Sequence, residues 1–68
     1  MNLKATDPHK CPVCGQYVFP YKGSDLICDV CGWEDDIVQE NDPDYAGGAN
    51  QFSLNENRKR WEKGEYAI

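Results

Sequence analysis

The chain has 68 residues, twelve acids against seven bases, a net charge of −5 and a mean hydropathy of −0.79. This length suits one domain, 1–68, and leaves little room for a second. No apolar run is long enough to span a membrane, and the acidic balance argues against a nucleic-acid surface.

The first segment, 1–10, shows little periodicity, and Asp7-Pro8 reads as a turn. "MNLKATDPHK" lacks the apolar stretch of a signal peptide, so a cytoplasmic setting is expected. His9 is the only histidine, and it reads as an exposed neighbour of the first cysteine pair.

Cys11, Cys14, Cys28 and Cys31 form two CxxC pairs with thirteen residues between them, each followed by glycine: "CPVCG" and "CDVCG". In a metal knuckle, backbone N–H groups beyond the first cysteine point back at the sulfurs. Glycine after the second cysteine permits the positive φ this requires, and Pro12 presets the turn. Two such knuckles supply four thiolates to one tetrahedral metal. A disulfide framework would need an oxidising compartment. A thioredoxin-type motif would need one pair opening a helix, not two with glycine after each. One Zn2+ per chain is the expected occupant, with iron, as in a rubredoxin-like electron carrier, the alternative. Structural zinc contributes roughly 10–16 kcal/mol, comparable with the whole stability of a small domain. The metal therefore decides whether so short a chain folds.

"QYVFPYKGSDLI", 16–27, is rich in aromatic and β-branched residues around "KGSD" and predicts a hairpin between the knuckles. Pro20 argues for an edge strand or an early strand end. "GWEDDIV", 32–38, predicts a third strand, with Trp33 covering the metal hairpin. The fold class expected is a small metal-stabilised α+β, a zinc ribbon over 11–38 with two to three short antiparallel strands. Residues 39–52 read as an acidic, glycine-containing loop. "SLNE" then places Ser53 at an N-cap with Glu56 three residues on. The single C-terminal helix, within 53–64, should run from Leu54 to about Lys63 and stop at Gly64. Phe52 is placed to staple its start, Leu54 and Trp61 share its apolar face, and Tyr66 and Ile68 could extend the contact.

Residues 1–31 are neutral overall, with Asp7, Asp25 and Asp29 against Lys4, Lys10 and Lys22. From Gly32 onward nine acids face Arg58, Lys59, Arg60 and Lys63. The basic run 58–60 reads as a solvated helix face, since its side chains point in different directions and Glu56 and Glu62 offer partners. Glu34, Asp35 and Asp36 have no accompanying nucleophile and base, so catalysis is not expected. They read either as a solvated edge guarding a strand or as a recognition surface for another protein with a basic surface. A nucleic-acid-binding ribbon is the remaining rival.

"CDVCGWEDD" together with "GGANQFSLNENRKRW" resembles the cysteine-rich CPCC family of small bacterial proteins. The family's pattern is similar to CPCCG, a variable hairpin, ICPVCxWEDD, an acidic loop, GGAN and SLxEARxNF. The resemblance runs from Cys11 to about Trp61. Val13 stands at the third position of the family's CPCC, where the pattern has a cysteine, Asp29 where it tends to have proline, and Asn57 where it tends to have alanine. The resemblance implies the ligands Cys11, Cys14, Cys28 and Cys31. It also matches Trp33, Glu34, Asp35, Asp36, Gly47, Gly48, Asn50, Leu54, Glu56 and Arg58. It implies a fold and a metal but no particular activity. It further implies that the acids and the GGAN loop act together, with Arg58 answering Asp35 or Asp36. Trp33 should pack inward, because a large aromatic beside a small metal site is the best core material available.

Overall fold

The computed structural model describes residues 7–65, so Tyr66 and Ile68 and most of the N-terminal segment lie outside the described residues. Two strands of two residues, β1 (His9–Lys10) and β2 (Val18–Phe19), pair antiparallel with His9 opposite Phe19 and Lys10 opposite Val18. The first knuckle is the tip of this hairpin, closed by the Cys11 N–H donating to Tyr17 O at 2.8 Å. The second knuckle is the tip of another narrow hairpin. It is marked by the bridge Ile27 to Glu34, with Cys28 N donating to Trp33 O and Asp35 N to Leu26 O. Each CxxCG thus turns on its own hairpin.

This corrects the hairpin expected within 16–27. Val18–Phe19 pairs backward with β1 instead of forward across "KGSD". Pro20 follows at once with no N–H to continue the ladder. Gly23 (φ 80°) and Asp25 (φ 62°) then take left-handed conformations that redirect the chain. The third strand expected over 32–38 reduces to the single bridge at Glu34. From Asp36 the chain enters a five-residue helix, α1 (Ile37–Asn41), so the ribbon boundary placed at 38 falls inside a helix. Asp36 caps it, its Oδ1 accepting from Val38 N at 2.9 Å. The β-branched Ile37 and Val38, which suggested a strand, both remain exposed.

The second helix, α2 (Leu54–Glu62), starts at the Ser53 cap, whose hydroxyl accepts from Glu56 N at 3.1 Å. It ends before Gly64, which takes φ 79° and lets Gly64 N and Glu65 N satisfy terminal carbonyls. Two helices are present among the described residues where one was expected. Phe52 is exposed at 37 % and lies under the Arg60 guanidinium, 4.5 Å from the ring centroid.

The buried core is small: Cys11, Phe19, Cys28, Cys31, Trp33 and Leu54, with Val13, Cys14, Tyr17, Val30 and Trp61 packed around it. Half of its fully buried members are cysteines. The whole is a small α+β arrangement around four clustered thiols, compatible with metal stabilisation. No helix among the described residues is long and apolar enough to cross a membrane.

Candidate metal centre

The two knuckles are built alike. Gly15 N donates to Cys11 O at 2.9 Å and Gly32 N to Cys28 O at 3.0 Å, each closing a tight turn around its CxxC. Gly15 and Gly32 take φ of 69° and 87°, conformations that a Cβ disfavours. The turns aim N–H groups at sulfur: Gln16 N at Cys14 Sγ (3.4 Å), and Val30 N and Cys31 N at Cys28 Sγ (3.3 and 3.4 Å). Such donors stabilise a thiolate more than a thiol.

The hairpin tips face each other, bringing Cys11 Sγ to 3.6 Å from Cys31 Sγ and Cys14 Sγ to 3.6 Å from Cys28 Sγ. All four sulfurs lie within 4.8 Å of one another. A tetrahedron with metal–sulfur bonds of about 2.3 Å has sulfurs about 3.8 Å apart. The cage therefore fits a single metal ion with little movement, and each close pair takes one sulfur from each hairpin.

The thiols differ in readiness. Burial pushes the Cys11 thiol up to about 11, with the N–H groups of Cys14 and Val13 acting against it. Burial also raises Cys31. At Cys28 burial again acts upward, but the N–H groups of Cys31 and Val30 outweigh it and hold the thiol below its ordinary value. Cys28 is thus the sulfur prepared to meet a cation as thiolate, while Cys11 and Cys31 need the metal's charge to lose their protons.

The residues after the second knuckle separate. Trp33 is buried and donates Nε1–H to Glu40 Oε2 at 3.4 Å. Asp35 is fully buried, its Oδ2 accepting from Ser24 N and Oγ at 2.9 and 2.8 Å. Asp36 Oδ2 accepts from Ala49 N at 2.9 Å, tying α1 to the glycine loop. Glu34 alone among the three acids makes its recorded contacts through the backbone. The pairing of Arg58 with Asp35 or Asp36 is not formed. Arg58 Nε donates instead to Pro12 O at 2.7 Å, fastening α2 to the first knuckle. From its place on α2 the guanidinium meets the Pro12 carbonyl of the first knuckle, while Asp35 takes its hydrogen bonds from Ser24 and Asp36 takes its own from Val38 and Ala49. Trp33 and Asp35 are too buried to touch a partner.

Two organising residues have no counterpart in the sequence reading. Gln39, fully buried, donates Nε2–H toward Tyr45 O, Asn50 O and Phe52 O and accepts at Oε1 from Asn50. His9 is half-buried and not merely an exposed neighbour: its Nε2 lies 2.7 Å from Glu40 Oε1. The spacing Asp36-x-x-Gln39 resembles a capping box, the one local signal that could have located α1. Nothing in the sequence links positions 9 and 40.

A family model described as cysteine-rich CPCC matches residues 9–64. No curated protein matches the chain.

Proposed function

The chain belongs to the cysteine-rich CPCC family, and from that premise we propose that it is a structural zinc-ribbon module acting as an interaction or regulatory protein. The observation that supports this best is the placement of the four sulfurs within the core, at the junction of the two hairpins. Ligands serving a catalytic metal leave an open position for substrate, whereas four thiolates close the coordination sphere. Free thiols suit a reducing, cytoplasmic compartment.

The acids of "WEDD" support a non-enzymatic reading, since Asp35 and Asp36 are engaged in holding backbone. The recognition surface is then carried by four exposed acids ahead of α2, Asp25, Asp29, Asp42 and Asp44, with the exposed Leu26 and Ile27 between the first two. Bound zinc adds a formal −2, because four thiolates outweigh the cation. Such a surface suits a protein partner with a basic face and repels phosphate backbones.

Native mass spectrometry should show one zinc held against mild chelation, and Cys28→Ser should lose both the metal and the fold. A chain that stays folded after full chelation, with four free thiols, would falsify the structural-metal reading. Visible absorbance distinguishes iron, since zinc has a filled d shell and no colour. For recognition, Asp25→Asn with Asp29→Asn should keep zinc and weaken partner capture, less so at high salt. Unchanged capture sinks the acidic-surface reading while leaving the metal reading intact.

A further inference from the structure

A second cluster of ligating atoms lies away from the cysteines. His9 on β1, Asp35 beyond the second knuckle and Glu40 on α1 each bring one donor atom to a common point, all within 4.8 Å. His9 Nε2 is 2.7 Å from Glu40 Oε1 and 3.6 Å from Asp35 Oδ1. The side chains of Asp35 and Glu40 are 0 % and 3 % exposed, and that of His9 is 21 %, so the cluster is internal and reached from the His9 side.

Buried carboxylates ordinarily have all their oxygens satisfied. Asp35 Oδ2 takes two hydrogen bonds from Ser24, but Oδ1 is buried and has no hydrogen-bond partner among the described residues. This orphaned oxygen faces the imidazole nitrogen. Lys22, the nearby base, directs Nζ at Asn41 Oδ1 (3.5 Å), not into the cluster. Two buried carboxylates and an imidazole thus meet with no salt bridge from a lysine or arginine among the described residues.

We propose that His9, Asp35 and Glu40 form a second metal site, taking a first-row divalent cation such as Zn2+ or Mn2+ through Nε2, Oδ1 and one Glu40 oxygen. Ligands on one cation with bonds of about 2.1 Å stand about 3.0–3.4 Å apart, and the two recorded separations bracket that range. One imidazole with two carboxylates suits these cations better than Ca2+ or Mg2+, which prefer oxygen alone. The supporting shell is in place: Ser24 holds Asp35, Trp33 Nε1–H reaches Glu40 Oε2, and the His9 ring stacks on Phe19 with centroids 6.3 Å apart. Without a cation a proton takes its place, which accords with burial and Asp35 raising Glu40 to about 8. Three protein ligands leave the remaining positions to water.

The test uses the full chain with one zinc already in the thiolate cage. Mn2+ is titrated and followed by loss of the free-ion EPR signal, and Zn2+ is titrated in parallel by calorimetry. One further equivalent of either cation should bind. His9→Gln and Glu40→Gln should each weaken that binding at least tenfold, while the four thiols stay protected from alkylation. Glu62→Gln, exposed on α2, should change nothing. The proposal is overturned if neither cation binds a second time, if binding survives both cluster variants, or if Glu62→Gln abolishes it.

Discussion

The side-chain amide of Asn50 serves both backbone groups of Glu34: Glu34 N donates to Oδ1 at 2.8 Å, and Nδ2 donates to Glu34 O at 2.9 Å. Glu34 faces Ile27 across the bridge without direct backbone hydrogen bonds, so its N–H and C=O point outward. Asn50 stands where an edge strand would be, and Gln39 fixes Asn50 in turn. A loop residue thereby completes the ladder of the second hairpin.

Asn50→Asp should accordingly destabilise more than its size suggests. The replacement keeps the acceptor for Glu34 N but sets a carboxylate oxygen against Glu34 O and Gln39 Oε1. A loss of about 1–3 kcal/mol is expected from the unsatisfied groups, read as a lower urea midpoint of the zinc-loaded protein. An unchanged midpoint would mean that the loop contributes nothing to the hairpin.

Gly48 and Gly47 should fail for different reasons. A Cβ at Gly48 would lie 2.6 Å from Asp36 Oδ2 and 3.0 Å from Gln39 Cγ, in the contact that joins the loop to α1. Gly48→Ala should therefore cost about 1–3 kcal/mol by overpacking. At Gly47 there is open space but a φ of 87°, so Gly47→Ala should cost about 1–2 kcal/mol through backbone strain. Only the Gly48 variant should relax when Gln39 is shortened to Ala, which a double-mutant cycle measures.

Ser53→Ala removes the acceptor for Glu56 N and should cost about 0.5–2 kcal/mol. The check is the thermal midpoint of the zinc-loaded protein, with loss of far-UV helical signal at the start of α2. No measurable shift would mean that the cap contributes little beside the packing of Leu54.

Stability should fall with rising pH because of Glu40. Burial, followed by the neighbouring Asp35, raises its folded-state value from 4.5 to about 8. Between these limits the unfolded chain has released the Glu40 proton while the folded chain keeps it. The folded state then binds more protons, so this contribution weakens across the window and is lowest above about 8. Glu40→Gln, neutral throughout, should gain on the wild type as pH rises through the window, with both proteins zinc-loaded at the cage and free of added cation. The difference isolates Glu40, since thiolate protonation acts on both chains alike. A constant difference across the window would refute the assignment.

The cysteine cage and α2 were legible because their signals are local. A doubled CxxCG fixes turn chemistry within five residues, and Ser53 with Glu56 marks a helix start within four. α1 was hidden because Ile37 and Val38 have strand-forming shapes and no apolar face to bury. Its capping by Asp36 and its anchorage by Gln39 to the loop replace hydrophobic periodicity. The inward turn of Asp35 follows from strand alternation, but its partners, Ser24 and the His9–Glu40 pair, depend on how the hairpins cross. Arg58 was read for its charge, yet it is held by a neutral carbonyl. A knuckle turn leaves carbonyls pointing outward, and that fact is visible only once the turn is built.

The paired knuckles would also govern how a bound ion leaves. Each hairpin closes with backbone bonds of its own, Cys11 N to Tyr17 O and Cys28 N to Trp33 O, so each two-sulfur half can persist while the other lets go. A metal held by these sulfurs would therefore be released stepwise, one hairpin's pair of sulfurs before the other's. Extraction by a small dithiol should run in two kinetic phases, the first accelerating with dithiol concentration. A cage that opened only by global unfolding would release zinc in one phase, at a rate indifferent to the competitor.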